Sequence, residues 1–158
     1  MDARVLVDTG FLVALWDRRD PEHAWAAGVV PKLRGPWLTC EACVSEMVFL
    51  LGGSLGPAAV LDLYEQLERG LIVSRHLLPE DLARVRAETA RYRGRTVDFA
   101  DACLMVLSDQ YPRLPLVTVD ASDFAVYLRG RSARKVLAPR FAPLPKPVEA
   151  RKFICSTA

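Results

Sequence analysis

No stretch of this sequence reaches the ~18 to 20 uninterrupted apolar residues that a membrane span requires. Its opening, Met1-Asp2-Ala3-Arg4, lacks the basic start of a secretory signal. A soluble, cytoplasmic protein is expected. Histidine is scarce: there are two, His23 and His76, and neither stands at zinc-finger spacing from the single C-x-x-C pair, Cys40 and Cys43. Together with Cys103 and Cys155 these thiols sit mostly in apolar stretches, where cysteine behaves as a small hydrophobe in a reducing setting. Neither G-x-G-x-x-G nor a Walker A sequence occurs, so dinucleotide and nucleoside-triphosphate binding lose their usual signature. Bulk charge is nearly absent too, at a formal +2, and by itself says little about partners.

What the sequence does have is a core. Of its 158 residues 51% are apolar and 25% charged, a balance that fits one compact domain and argues against intrinsic disorder. The charge is also unevenly placed. Residues 129–158 carry eight basic side chains and one acid, leaving 13 basic and 18 acidic residues in the first 128. This pattern predicts an acidic body that concentrates carboxylates, with a basic segment suited to a polyanion or an acidic partner. Residues 1–138 are expected to form the domain and 139–158 a Pro-rich basic tail without regular structure.

Residues 5–7 form a short apolar run that stops at Asp8-Thr9-Gly10, after which Phe11, Leu12, Ala14 and Leu15 recur at helical spacing. Asp20-Pro21-Glu22-His23 predicts a capped helix running toward Leu33. A second strand is expected at 37–39, then a helix over 41–51 stopped by Gly52-Gly53. Pro57 opens another helix, which Gly70 ends. A third strand is expected at 71–73, followed by a helix that begins at Pro79-Glu80-Asp81 and closes at Gly94. Asp98 caps a helix that is apolar almost all round, and 116–119 reads as the clearest strand, ending in Asp120. A short helix near 124–128 follows. Short apolar strands alternating with helices imply an α/β fold with a mainly parallel sheet.

In such sheets ligands bind outside the carboxyl ends of the strands, which is where Asp8 and Asp120 stand. Turn chemistry is the ordinary explanation for either one alone. Glu46 is harder to dismiss, because Ala42, Phe49 and Leu50 make its helix face otherwise apolar. Asp101 is sharper still, lying among Phe99, Ala100, Ala102, Cys103, Leu104 and Met105; burying its charge costs several kcal/mol unless something compensates. A buried pairing with arginine is the ordinary alternative there, and an N-cap role is the ordinary one for Asp98. Four converging carboxylates cannot all stay ionised unaided, since two like charges about 4 Å apart repel by roughly 4 kcal/mol at an effective dielectric near 20. All-oxygen ligation without histidine or cysteine suits Mg²⁺ or Mn²⁺. Such an ion activates water and neutralises charge on phosphate oxygens, which is the chemistry of phosphodiester hydrolysis.

The run Val5-Leu6-Val7-Asp8-Thr9-Gly10-Phe11-Leu12, the helix with Glu46, the stretch Asp98-Phe99-Ala100-Asp101 and the ending Val117-Thr118-Val119-Asp120-Ala121-Ser122-Asp123-Phe124 resemble, in order and spacing, the PIN domain family. Within it the chain is most similar to VapC-like ribonuclease toxins of toxin–antitoxin operons, over residues 4–128. The resemblance implies a three-layer α/β/α sandwich and Mg²⁺- or Mn²⁺-dependent cleavage of single-stranded RNA. It also implies a homodimer and a cognate antitoxin partner. By position, Asp8 and Asp101 become primary metal ligands, Glu46 a ligand direct or through water, and Asp120 the fourth acid. Thr9 and Thr118 match hydroxyls that orient those carboxylates, Asp123 ranks as auxiliary, and Asp20-x-x-His23 is taken as structural.

A nuclease also needs positive charge beside its acids. Arg91, Arg93 and Arg95, with Tyr92 as a possible stacking ring, are the candidate RNA contacts, set against the ordinary role of arginine at a helix end. Arg129, Arg131, Arg134 and Lys135 offer a second surface, whereas Trp16, Trp25 and Trp37 are assigned to the core or an interface. A dehalogenase-type phosphatase fails because Gly10 stands where a second Asp is needed. A receiver domain lacks its late lysine after a strand. A non-catalytic RNA- or protein-binding module of the same fold predicts erosion of an acidic set that is here complete.

Overall fold

The computed structural model describes residues 5–92, 94, 97–127 and 136–139. Five parallel strands, β1 (Val5–Val7), β2 (Trp37–Cys40), β3 (Ile72–Arg75), β4 (Leu116–Val117) and β5 (Val136–Leu137), lie in the order β3-β2-β1-β4-β5. Strand alternation divides the core in two. Val5, Val7, Trp37 and Val117 face one side while Leu6, Leu38 and Leu116 face the other, as the two-residue period of a strand requires.

Against the first face pack α1 (Thr9–Trp16), α2 (His23–Val29), α3 (Glu41–Ser54) and α4 (Pro57–Glu68). Phe11 anchors that layer, fully buried and edge-on to both Trp25 (6.1 Å) and Trp37 (5.8 Å). Each such contact adds about 0.5–1.5 kcal/mol beyond burial. Against the second face pack α5 (Leu82–Arg91), α6 (Phe99–Gln110) and α7 (Ala121–Tyr127). Helices on both faces of a parallel sheet make the three-layer α/β/α sandwich that was expected, and Trp16, Trp25 and Trp37 are all core residues.

Several local expectations are corrected. The Gly52-Gly53 pair does not stop α3, which continues to Ser54; the break comes at Gly56, whose φ of 82° is open to glycine and strained for other residues. The helix after Pro21 begins at His23, with the Asp20 carboxylate accepting from the Glu22 N–H at 2.8 Å and His23 Nδ1 lying 2.8 Å from the Ala14 carbonyl. β4 is only two residues long, and β5, which pairs with it, has no counterpart in the sequence reading. No helix among the described residues is long and apolar enough to cross a membrane.

Candidate active site at the carboxyl edge of the sheet

The chain lays β2 and β3 to one side of β1, then returns to lay β4 and β5 on the other. Every strand ends at one edge, and the reversal opens a crevice between the ends of β1 and β4, the place where open α/β sheets bind ligands. Asp8 follows β1 directly and Thr118 follows β4.

Asp8 is buried and both its oxygens are held. Oδ1 accepts the Phe11 N–H at 2.6 Å, capping α1, and Oδ2 accepts the Thr118 hydroxyl. Thr118 Oγ1 in turn accepts the Asp120 N–H at 2.9 Å, so the ends of β1 and β4 are laced together. Burial pushes the Asp8 carboxyl up to about 7 against the pull of these two hydrogen bonds, and the charges of Asp101 and Asp120 push the same way as burial. Turn chemistry, the ordinary explanation for Asp8, is met here in the form of a helix cap and leaves its burial unaccounted for.

Asp101 occupies the first turn of α6, whose start is fixed by the Asp98 cap accepting from the Ala100 N–H at 2.7 Å. Burial, then the charges of Asp98, Glu46, Asp120 and Asp123, raises Asp101 to about 6. Acids from the β1 end, α3, the start of α6 and the loop into α7 thus act on one another in a single region. Among the described residues no arginine or lysine pairs with Asp8, Glu46, Asp101 or Asp120.

A closed four-acid cluster is not what the side chains form. Among the described residues no three His, Cys, Asp or Glu side chains stand close enough to hold an ion. The hydrogen bonds give the reason. Asp8 is tied to Phe11 and Thr118, Asp98 to Ala100, and Asp120 turns its Oδ1 into its own loop, accepting from Ser122 Oγ and the Asp123 N–H at 2.9 Å each. The donor set itself, carboxylate and hydroxyl oxygens with no counter-cation, fits a hard divalent ion.

Other expectations are redrawn by the structure. The Thr9 hydroxyl points to the Cys43 carbonyl at 3.4 Å rather than to a carboxylate. Tyr92 is no free stacking ring: it lies 5.1 Å from Tyr127, centroid to centroid, and donates its hydroxyl to the Tyr127 carbonyl at 2.7 Å. Phe49 and Leu50 beside Glu46 are exposed, so that face of α3 is not core; Cys43, Met47 and Leu51 carry its packing. Arg91 is exposed in the last turn of α5, while Arg93, Arg95, Arg129, Arg131, Arg134, Lys135 and the tail from 140 onward lie outside the described residues.

Two residues at the site carry no sequence signal of their own kind. Gly10 leaves room that a Cβ would fill, 2.8 Å from Val119 Cγ2 and 3.6 Å from Asp8 Oδ2. Tyr127 is buried, and its phenol is pushed up to about 12 by burial, by the charges of Asp101 and Asp123 and by a hydrogen bond with Asp101. Its place one helical turn after Asp123 is the only sequence clue to it.

Comparison with known proteins agrees with this fold. The chain is 22% identical over 141 residues to ribonuclease VapC26 of Mycobacterium tuberculosis (strain ATCC 25618 / H37Rv), an alignment covering 89% of this chain and all of that one. Its fold matches the crystal structure of Mycobacterium tuberculosis VapC20, described as a sarcin–ricin loop cleaving toxin, with a TM-score of 0.71 and 19% identity, over 77% of this chain and 94% of that one. The PIN domain model matches residues 5–128, and the chain belongs to that family.

Proposed function

We propose that this protein is a metal-dependent endoribonuclease, the toxin of a toxin–antitoxin pair. The observation that carries the reading is the buried Asp8 carboxylate, raised to about 7 and facing Asp101 and Asp120 with no cationic side chain among the described residues to compensate it. A fold tolerates such a cost where function requires it. Membership of the PIN family and likeness to a protein named ribonuclease support the same assignment.

Asp8 and Asp101, with Glu46 and Asp120, are the residues that would hold Mg²⁺ or Mn²⁺, which supplies water activation and charge neutralisation at the phosphate. The rest is done by the chain. Phe11 N–H and the Thr118 hydroxyl fix both oxygens of Asp8, so that it need not be ordered when substrate arrives. The Asp98 cap sets the first turn of α6 and hence the direction of Asp101. Tyr127 keeps its proton at neutral pH and hydrogen-bonds Asp101. Arg91, Arg93 and Arg95 are assigned to the RNA backbone.

An antitoxin protein and a second copy of the chain are the assigned partners. Phe49, 79% exposed, and Leu61, 66% exposed, support a protein interface on α3 and α4, since exposed large apolar side chains mark such surfaces. The test is incubation of purified protein with single-stranded and structured RNA in Mg²⁺, Mn²⁺ or EDTA. Cleavage that requires the ion and disappears in Asp101→Asn is expected. Cleavage undiminished by EDTA or by that substitution refutes the assignment.

A further inference from the structure

A second concavity lies on the same edge of the sheet, over the ends of β2 and β3 rather than β1 and β4. It has a volume of about 260 Å³ and is walled by Cys40, Ala42, Leu77, Leu78, Phe99 and Cys103. Cys40 ends β2 and Leu77 and Leu78 follow β3, while Phe99 opens α6 two residues before Asp101. The first turns of α3, the helix that also carries Glu46, add Glu41, Ala42 and Ser45 to the lining. The cavity and the acids therefore share their two supporting helices, which are linked where the Cys43 thiol approaches the Ala100 carbonyl at 3.9 Å.

Its chemistry is unlike that of the acidic crevice. The walls are mostly apolar, and Phe99 is 51% exposed although it is a large aromatic at the start of an otherwise buried helix. One polar pair stands at the mouth, His76 Nδ1 against the Glu41 carboxylate, with both side chains more than half exposed. That hydrogen bond orients the imidazole and leaves Nε2 to meet the edge of a ligand. The cavity is smaller than the ~300–1,000 Å³ of drug-sized pockets, and a flat ring fits it better than a bulky group. A free ring face, a narrow apolar slot and one oriented donor–acceptor pair are what an unstacked base needs.

We propose that this cavity takes one nucleobase of a single-stranded RNA, stacked on Phe99 with its edge toward His76 and Glu41, while a neighbouring phosphate lies over Asp8 and Asp101. The proposal rests on the ribonuclease reading and adds a sequence-reading subsite to it. The acids would accept a phosphate only with the divalent ion held between them, whereas an uncharged base enters the apolar cavity without that requirement, so the two surfaces divide a nucleotide between them.

The test compares Phe99→Ala with wild type on short single-stranded RNAs, intact or abasic at one position flanking the mapped cut. Loss of the ring and loss of the base are each expected to lower kcat/KM about tenfold, and the two losses do not add, because each removes the same stacking contact. Phe99→Trp, which keeps a ring, retains activity on intact RNA. Unchanged kcat/KM and cut-site preference in Phe99→Ala, or losses that multiply, overturn the proposal. If wild type cuts no RNA, the nuclease reading falls and the subsite is decided separately, by ultraviolet crosslinking of a 4-thiouridine RNA to the intact protein. Crosslinked peptides containing Phe99 or His76 uphold a base-binding cavity; crosslinks confined elsewhere, or none, overturn it.

Discussion

Asp8→Asn is expected to abolish RNA cleavage and yet to strengthen the metal-free fold at alkaline pH. The folded protein holds the Asp8 proton up to about 7, whereas the unfolded chain releases it near the ordinary value of 3.8. Between those values the native state binds more protons, so raising the pH removes stability; the contribution is intact below about pH 4 and lost through pH 7. Fully expressed, the shift corresponds to roughly 4 kcal/mol. Asparagine keeps the cap on Phe11 through its amide oxygen, and it is as good an N-cap as aspartate. It presents an N–H instead of an acceptor to Thr118, which gives back about 1 kcal/mol. Loss of a negative charge at the start of α1 gives back up to about 1 kcal/mol more. Urea unfolding in EDTA at pH 8 should therefore find Asp8→Asn about 2 kcal/mol more stable than wild type, with the gap closing by pH 5. A wild type that gains stability between pH 5 and pH 8, or a variant less stable than wild type at pH 8, refutes the account of Asp8 as a carboxylate buried at a cost.

Thr118→Val removes the hydroxyl that accepts from Asp120 and donates to Asp8. A loss of about 1–3 kcal/mol in unfolding free energy is expected, with the acid limb of the cleavage–pH profile moving to higher pH as Asp8 loses a bond that favours its charge. Gly10→Ala drives a Cβ to 2.8 Å from Val119 Cγ2, so thermal unfolding should report a cost of about 1–3 kcal/mol, which Val119→Ala in the same chain relieves. Glu46→Gln should cut RNA cleavage by about a hundredfold in a steady-state assay while leaving the unfolding midpoint within a degree or two, because this half-buried side chain is not part of the packing face of α3.

The architecture was readable because its signals are local. The runs at 5–7 and 37–39 alternate in the sense the two cores require, and Asp98 announces α6 by cap chemistry alone. The acids were readable for a related reason: Asp8 and Asp101 break apolar surroundings, and burial then dominates the chemistry of both. What stayed hidden depends on contacts between distant segments. Gly10 matters through Val119, Tyr127 through Asp101, and the direction of Thr9 through Cys43. The exposure of Phe49 and Leu50 was misread because an apolar residue on a helix says nothing about which neighbour arrives to cover it.

The bond from Thr118 to Asp8 spans 110 residues and joins strands that are adjacent in space. During synthesis β1 must therefore wait for β4, since a further 110 residues emerge after Asp8 before Thr118 can reach it. A chain interrupted anywhere between them carries Asp8 without Thr118 or Asp120. On the proposed ribonuclease reading, such a fragment holds only part of the acidic site, and the crevice is complete only once β4 has joined β1.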